Sequence, residues 1–227
     1  MTTVRPAVLF SYFRSSSAYR VRIALNLKNV PYEIRPVNLL NGEQNLPEFK
    51  AISPMAAVPV LQIDGHTFTQ SLPIVDYLDA TRRDPKLCPS DPFGRSNVLA
   101  MAMVPASDTQ PLHNALTLKT LGELFDADEK KKHEWVGRFM KRSLGVLEHE
   151  IGRFSTTAEF CYGHHVSLAD VCLAPHIYVA KRFNVPLDEY PKTMKVYQNL
   201  MTIDAFRRAH PHSQPDCIAE LKGDLSV

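Results

Sequence analysis

AVLFSYFRSSSAYRVRIALNLK, residues 7–28, is the stretch that sets the fold of the N-terminal region. It begins with Ala7–Ser11, a short apolar run that predicts a buried strand. After a polar segment, Tyr19–Lys28 carries apolar residues at helical spacing, so we predict a helix there despite its β-branched residues. One of the serines in Ser15–Ser17 is expected to cap this helix, because a serine oxygen accepts hydrogen bonds from the first backbone amides.

Three more strands and another helix are predicted downstream. Tyr32–Val37 is a candidate strand. Val60–Ile63 and His66–Thr69 flank an Asp-Gly pair, which predicts a β-hairpin because glycine tolerates the positive φ of a type I′ turn. Ser71 is expected to cap a helix over Leu72–Thr81. The order β-α-β-β-β-α describes a mixed sheet with a parallel first pair and an antiparallel hairpin at its edge.

A proline-rich segment separates this region from a helical one. Residues 84–92, DPKLCPSDP, contain three prolines and no clear periodicity, which is typical of an interdomain linker. We therefore expect a first domain over residues 1–83 and an all-helical second domain over residues 93–227, which together make an α+β protein. Pro105 and Pro111 are expected to interrupt the first helical region of the second domain.

Composition argues against several classes of function. The chain has 26 basic and 24 acidic residues, so its net charge of +2 gives no reason to expect nucleic acid as a partner. No apolar run reaches the roughly 18 residues of a membrane-spanning helix, and residues 1–7 lack the apolar core of a secretory signal, so we expect a cytoplasmic protein. The four cysteines form no C-x-x-C pair, and the histidines lack ligand partners at zinc spacing, so we expect free thiols and no metal site.

Four short strings are specific enough to compare with known families. They are Ser11–Leu25, SYFRSSSAYRVRIAL; Ser53–Val60, SPMAAVPV; Gln70–Tyr77, QSLPIVDY; and Val166–Leu173, VSLADVCL. Together they resemble the glutathione transferase superfamily, and the first resembles the zeta-class signature S-S-C-x-W-R-V-R-I-A-L. Residues 210–216, HPHSQPD, are also similar to the zeta-class tail. The resemblance implies an N-terminal thioredoxin-like domain that binds glutathione and an all-helical C-terminal domain that binds the second substrate.

The resemblance also implies an activity. Zeta-class members isomerise maleylacetoacetate, so we expect a glutathione-dependent isomerase of tyrosine and phenylalanine catabolism. In that reaction the glutathione thiolate adds to the cis double bond, the new single bond rotates, and elimination gives fumarylacetoacetate and returns glutathione. The family further implies a homodimer whose ligands are glutathione and a small dicarboxylate or electrophile.

Two other functions stay open at this point. The first is a general glutathione transferase that conjugates small electrophiles or dehalogenates haloacids. The second is a non-catalytic interaction module of the same fold, which would have no need of Ser15, Gln70 and Ser71 together. A thiol oxidoreductase is disfavoured, because it would need a cysteine in the Arg14–Ser17 loop and that loop has none.

The resemblance places thiolate stabilisation on Ser15, with Ser16 and Ser17 close by. A free thiol has a pKa near 8.5, so it is mostly protonated at neutral pH. A hydrogen bond to the thiolate, worth roughly 1.5–3 kcal/mol, would lower that pKa by about one to two units. Taken alone, these serines predict only a helix cap, and the two roles are compatible. Ser17 stands where the zeta signature has cysteine, and Tyr19 stands where it has tryptophan.

The remaining glutathione contacts are also implied by the resemblance. The Val58–Pro59 bond is expected to be cis and to turn the Val58 backbone toward the cysteinyl part of glutathione, although most X-Pro bonds are trans. Gln70 and Ser71 are expected to bind the γ-glutamyl carboxylate, since a helix N-terminus attracts anions. Ser71 alone would predict only a helix cap.

Three residues of the helical domain complete the predicted site. Gln110 and Asn114 match positions that contact glutathione, although a solvent-facing polar residue would be equally consistent with Gln110 alone. Arg182 matches a zeta-class arginine that pairs with a substrate carboxylate, and a guanidinium fork suits a dicarboxylate. A lone arginine near a helix end would otherwise interact with the helix dipole or with water.

Overall fold

The computed structural model describes residues 6–82 and 84–225. The expectation of no secretory signal rests largely on residues 1–5, which lie outside the described residues. Arg83, the last residue of the predicted first domain, also lies outside them. Among the described residues, no helix is long and apolar enough to cross a membrane.

The N-terminal region is built on the predicted four-stranded mixed sheet. Its strands are β1 Ala7–Ser11, β2 Tyr32–Pro36, β3 Val60–Ile63 and β4 His66–Thr69. The strand order is β2-β1-β3-β4, with β1 and β2 parallel and the other pairs antiparallel. Asp64 and Gly65 have φ values of 54° and 79°, so the hairpin turn has the two positive φ angles that the Asp-Gly pair predicted.

Three helices belong to this region, and they are α1 Ser16–Leu27, α2 Pro47–Lys50 and α3 Ser71–Thr81. Ten of the 12 residues of α1 are buried, which explains why its sequence shows no clear polar face. The helix starts three residues before the predicted Tyr19, because the Ser15 side chain caps it by accepting a hydrogen bond from the Ala18 amide at 3.2 Å. The predicted start was therefore late, although one of the expected serines does cap the helix.

The start of α3 differs from the prediction. Ser71 is the first residue of the helix and Gln70 is its N-cap, so the prediction of Ser71 as the cap was wrong. The physical reason is a long-range contact, since the Ser71 hydroxyl accepts a hydrogen bond from the Arg20 guanidinium at 3.0 Å. That contact holds the Ser71 oxygen on Arg20.

The following region is helical, as predicted. Its helices are α4 Pro92–Met103, α5 Gln110–His113, α6 Ala115–Phe125, α7 Glu129–Phe154, α8 Leu168–Arg182 and α9 Pro191–Leu200. A π-helical turn over Val104–Thr109 contains Pro105, and Pro111 lies in α5, so both prolines lie where the first helical region is interrupted. The interior of this region is organised around α8, in which 13 of 15 residues are buried.

The chain forms two compact units, whose limits differ from the predicted domains. The first unit contains the residues up to Pro85 and those from Ile203 onward, and the second contains Lys86–Thr202. The prediction had placed all of residues 93–227 in one helical domain. The division of glutathione binding and substrate binding between two domains stays a prediction.

Hydrogen bonds to α1 explain why the C-terminal residues join the first unit. A last helix, α10 Asp204–Ala209, packs on α1. Arg22 Nε donates to the Ala209 carbonyl at 2.9 Å, and Asn26 Nδ2 donates to the Ala205 carbonyl at 2.9 Å. These contacts join residues almost two hundred positions apart, with a separation of 187 for the first pair, and no local pattern could predict them.

We expect Asp170→Ala to destabilise the second unit. Asp170 is fully buried, and its carboxylate accepts hydrogen bonds from the Cys161 amide, the Ser167 amide and the Ser167 hydroxyl at 2.7, 2.8 and 2.7 Å. Removing this acceptor leaves three buried donors unpaired, so the free energy of unfolding should fall by about 3 kcal/mol or more. Urea unfolding followed by circular dichroism measures this change.

The matched control is Asp188→Ala, since Asp188 is exposed. Its free energy of unfolding should stay within about 0.5 kcal/mol of wild type. If the Asp170→Ala protein were as stable as this control, the capping box at the start of α8 would not carry the stability that we assign to it.

Candidate active site

The register of the sheet brings the predicted N-terminal site residues to one edge. Phe10 pairs with Val60, and Val60 pairs with Thr69. The end of β1, the start of β3 and the end of β4 therefore lie side by side. The segments that follow or precede these strand ends carry Ser15, Val58, Pro59, Gln70 and Ser71.

Ser15 occupies the N-cap of α1 and is half-buried. Its oxygen accepts from the Ala18 amide at 3.2 Å, which leaves the hydroxyl hydrogen available to a ligand. The free amides and dipole of α1 add positive potential at the same point. Ser16 is buried and Ser17 is half-buried in the first turn of α1. Of the three serines, Ser15 thus combines a cap with a hydroxyl that can stabilise an anion.

The Val58–Pro59 peptide bond is cis, as predicted. Among the described residues, no hydrogen bond involves the amide or the carbonyl of Val58. The preceding segment is closed on itself, since the Ser53 hydroxyl donates to the Ala57 carbonyl at 2.8 Å and accepts from the Ala57 amide at 3.2 Å. The Val58 backbone therefore offers one donor and one acceptor to a ligand with an extended peptide backbone.

Gln70 and Ser71 lie at the N-terminus of α3, the second helix terminus at this edge. Gln70 has a φ of 68°, a left-handed conformation that a residue with a side chain adopts at a cost of about 1–3 kcal/mol. Ser71 is buried, and its hydroxyl accepts from Arg20 Nη1 at 3.0 Å. A free helix amide, a hydroxyl and a buried guanidinium thus meet here, which suits a carboxylate.

Sequence reasoning missed two arginines beside this edge. Arg20 is buried behind Ser71, and Arg14 directly precedes Ser15. The Arg14 Nε is buried without a hydrogen-bond partner among the described residues, and its guanidinium carbon lies 5.1 Å from the centre of the Phe13 ring. The signal for Arg20 was its place among the apolar residues of α1, whereas Arg14 gave no local signal beyond its place next to the serines.

Two predicted residues lie in the second unit, at the α5 and α6 segment. Gln110 begins α5, is half-buried, and makes no side-chain hydrogen bond to the described residues. Asn114 caps α6, since its Oδ1 accepts from the Thr117 amide at 2.8 Å and its Nδ2 donates to the Pro111 carbonyl at 3.1 Å. Gln110 therefore has a free amide, whereas the Asn114 amide is already used locally. Their contact with glutathione stays a prediction.

Arg182 is the last residue of α8 and is exposed beside a cavity of about 390 Å³ in the second unit. The side chains of Lys119, Lys132 and His133 also line this cavity, together with Glu129. Lys132 pairs with Glu129 at 2.8 Å, so lysine and arginine charge exceeds carboxylate charge around the space. The cavity is therefore suited to an anionic ligand.

None of the cysteines is placed to act as a nucleophile in the described region. All four are buried free thiols. Burial raises the pKa of the Cys161 thiol well above its ordinary value, and burial also raises the pKa of Cys217. Within residues 6–82 and 84–225, no three histidine, cysteine or carboxylate side chains are grouped to hold a metal ion. The polar groups that the described residues present at this edge are hydroxyls, backbone amides and guanidinium groups.

Comparison with known proteins identifies the same architecture. The family model described as the glutathione S-transferase N-terminal domain matches residues 9–86, and the one described as the C-terminal domain matches residues 96–204. Maleylacetoacetate isomerase from Mus musculus is 42% identical over 217 residues, which cover 95% of this chain and 97% of that protein. The likeness therefore extends over both compact units.

Solved structures give the same picture. A maleyl pyruvate isomerase, described as a bacterial glutathione S-transferase of the zeta class, matches with a TM-score of 0.91 at 35% identity, covering 93% of this chain and 100% of that one. Maleylacetoacetate isomerase from Methylobacterium extorquens AM1, solved with bound malonate and GSH, matches with a TM-score of 0.89 at 36% identity, and the coverage is again 93% and 100%.

The burial of the cysteines predicts their reactivity. In the folded protein none of the four thiols should react with the thiol reagent DTNB within minutes, because each is shielded and the pKa values of Cys161 and Cys217 are raised. After unfolding in guanidinium chloride, all four should react. A single thiol that reacts rapidly in the native protein would contradict this and would reopen a thiol-based chemistry.

Proposed function

The chain belongs to the glutathione S-transferase family, and from that premise we propose that it isomerises maleylacetoacetate to fumarylacetoacetate with glutathione as its cofactor. The observation that carries the proposal is Ser15, whose free hydroxyl hydrogen lies at the N-terminus of a buried helix. The choice of substrate rests on relatives such as the mouse maleylacetoacetate isomerase, which is 42% identical over 217 residues.

The residues at the sheet edge fit glutathione. The unpaired amide and carbonyl of Val58 suit the cysteinyl part of the tripeptide. They can form two hydrogen bonds with its extended backbone, as neighbouring strands do. The helix terminus at Ser71, with Arg20 behind it, suits the γ-glutamyl carboxylate. The Ser15 hydroxyl then suits the sulfur between them. Gln110 and Asn114 are proposed to add contacts from the second unit.

Bound glutathione supplies a thiolate that adds to the cis double bond and leaves again after rotation. The protein's part is to keep that sulfur deprotonated near neutral pH. A hydrogen bond from Ser15 to the charged form lowers the pKa of the thiol by roughly one to two units, and the positive end of α1 favours the same form. Ser16 and Ser17 are proposed to support this site from the first turn of the helix.

Arg182 is proposed to bind a substrate carboxylate. It lies beside the basic cavity of the second unit. A guanidinium binds a carboxylate through two parallel hydrogen bonds, which orients the substrate as well as attracting it. The relative from Methylobacterium extorquens binds malonate, a small dicarboxylate.

A closely related reaction is the second candidate. The bacterial maleyl pyruvate isomerase matches this chain with a TM-score of 0.91, so maleylpyruvate belongs in the same assay as an alternative cis substrate. The homodimer and the cytoplasmic location implied by the family resemblance are part of the same proposal.

Ser15→Ala is expected to lower kcat/KM for maleylacetoacetate by roughly 10- to 100-fold, because one hydrogen bond to a charged group is lost. The remaining activity should shift to higher pH, since the thiol would then ionise at a higher pKa. The measurement is isomerisation with and without glutathione across a pH series. Ser96→Ala, at an exposed serine of α4, serves as the matched control and should behave as wild type.

The outcomes separate the alternatives. Strict glutathione dependence with a large loss in Ser15→Ala supports both the isomerase and the role of Ser15. A folded wild-type protein that binds glutathione but turns over neither cis substrate would refute the isomerase and favour a general transferase. Full activity in Ser15→Ala would move thiolate stabilisation to Ser16, Ser17 or the helix terminus.

Arg182→Met is expected to raise the KM for maleylacetoacetate about tenfold or more, because a charge-assisted carboxylate contact is removed. The Kd for glutathione should not change. Arg182→Lys should lie between the two, since lysine keeps the charge and loses the fork. The control is Arg138→Met, at an exposed arginine of α7. An unchanged KM in Arg182→Met would show that the basic cavity is not the substrate site.

A further inference from the structure

Both backbone polar groups of Phe13 are held by charged side chains, one of which is distant in sequence. The Phe13 amide donates to Asp216 Oδ2 at 2.8 Å across a separation of 203 residues. The Phe13 carbonyl accepts from Arg22 Nη2 at 3.1 Å. Phe13 is buried, and it lies beyond the end of β1, so no strand supplies these partners. Its backbone is fixed from two sides by an acid and a base.

Phe13 belongs to the turn that presents Ser15. The turn runs from Tyr12 to Ser15 and is closed by a hydrogen bond from the Ser15 amide to the Tyr12 carbonyl at 2.9 Å. Arg22 Nη1 also approaches the Tyr12 carbonyl at 3.5 Å. On the helix side, the Ser15 carbonyl also accepts from the Tyr19 amide at 2.9 Å. The hydrogen bonds at Phe13 therefore help to set the angle at which the turn meets the helix. A rotation of the turn would move the Ser15 hydroxyl.

Arg22 is fully buried and ties three parts of the first unit together. Besides the turn, it donates to Ser11 Oγ at the end of β1 at 3.0 Å and to the Ala209 carbonyl at the end of α10 at 2.9 Å. A buried guanidinium destabilises the fold unless its N–H groups donate hydrogen bonds. The fold is therefore stable only when the three segments lie where they can accept them. The turn, the sheet and the C-terminal helix thus share one side chain.

Asp216 is presented by a segment that is itself well fastened, residues 210–216, which we call the C-terminal strap. Gln214 Nε2 donates to the carbonyls of Arg208 and His210, both at 2.8 Å. The His212 amide donates to His210 Nδ1 at 3.2 Å. The strap is the HPHSQPD string of the sequence, and these bonds give most of its polar residues a structural task. Asp216 is the residue of the strap that reaches the turn.

We propose that Asp216 and Arg22 are positioning residues, which act through Phe13 to set the Ser15 hydroxyl against the sulfur of bound glutathione. The inference rests on the proposed function and deepens it, because it assigns the C-terminal strap to the catalytic apparatus. Neither side chain touches the reacting atoms. Their effect is to fix the direction of a hydrogen bond whose strength falls steeply with misalignment.

The test measures the pKa of bound glutathione in Asp216→Ala, from the ultraviolet absorbance of the thiolate across a pH series. We expect the pKa to rise by about one unit, since the Ser15 hydrogen bond is weakened without being deleted. At neutral pH, kcat/KM should fall about tenfold. Affinity for S-methylglutathione, which has no ionisable thiol, should stay at the wild-type value, because Val58 and Ser71 are untouched.

Two comparisons show whether the effect passes through Ser15. In a Ser15→Ala background, the added Asp216→Ala change should leave the thiol pKa where Ser15→Ala alone puts it, because coupled residues are not additive. Asp216→Asn keeps an oxygen of the same reach and should give a smaller rise, since a neutral amide accepts more weakly. Glu220→Ala, at an exposed residue beyond the strap, is the control for general changes in the tail.

Each outcome decides the proposal. A folded Asp216→Ala protein with the wild-type thiol pKa overturns it, as does an undiminished rise in the Ser15→Ala background. A loss of S-methylglutathione affinity equal to the loss of activity would mean a merely structural role. If Asp216→Ala does not fold, Asp216→Asn decides: a measurable rise supports the proposal and the wild-type value overturns it. Absence of any thiolate signal in wild type would refute the proposed function instead.

Discussion

The structure depends on the burial of three cationic side chains, two in α1 and one at its C-cap. Arg20, Arg22 and Lys28 all lie inside the first unit, where a charge must be matched by hydrogen-bond acceptors. Each of them collects acceptors from a different part of the chain. Arg20 donates a hydrogen bond to Ser71 at the start of α3. Arg22 donates to the turn before the helix and to the end of α10. Lys28 donates to Asp79 at 2.7 Å and to the carbonyl of Arg82 at 2.8 Å. The helix thereby gathers around itself the segments that the candidate site needs.

The burial of these cationic side chains also explains the positive potential at the candidate site. The two helix N-termini that face the sheet edge are both reinforced by buried positive charge, from Arg20 behind Ser71 and from Arg22 beneath the turn before Ser15. A tripeptide with a carboxylate at one point and a thiolate at another meets favourable potential at each. In the proposed site, binding and activation of such a ligand would therefore both depend on one charged, buried helix. An apolar helix of the same shape would lack both these hydrogen bonds and this positive potential.

What could be predicted from sequence was local. The Asp-Gly hairpin, the strands and the interruption by prolines follow from short-range rules, and the structure has them. The cis bond before Pro59 followed from resemblance alone. Ser15 could be placed for the same local reason, since serine at a helix start is a cap. Arg20 and Asp216 could not be placed, because their partners are far away in the chain, and the local sequence does not mark Arg14. The return of the C-terminal residues to the first unit has the same cause.

That return has a consequence for the order in which the protein matures during synthesis. The residues of the β-sheet and α1 are synthesised early. The acceptor of the Phe13 amide, Asp216, is synthesised 203 residues later. The second unit, Lys86–Thr202, is made in between and has its own interior, so it can fold while the first unit is still incomplete. The turn that carries Ser15 therefore reaches its final geometry only after the strap has been translated. A nascent or prematurely terminated chain would have a sheet and a helical unit but a turn without the Asp216 contact. Under the role proposed for the strap, such a chain would be less active than the full-length chain.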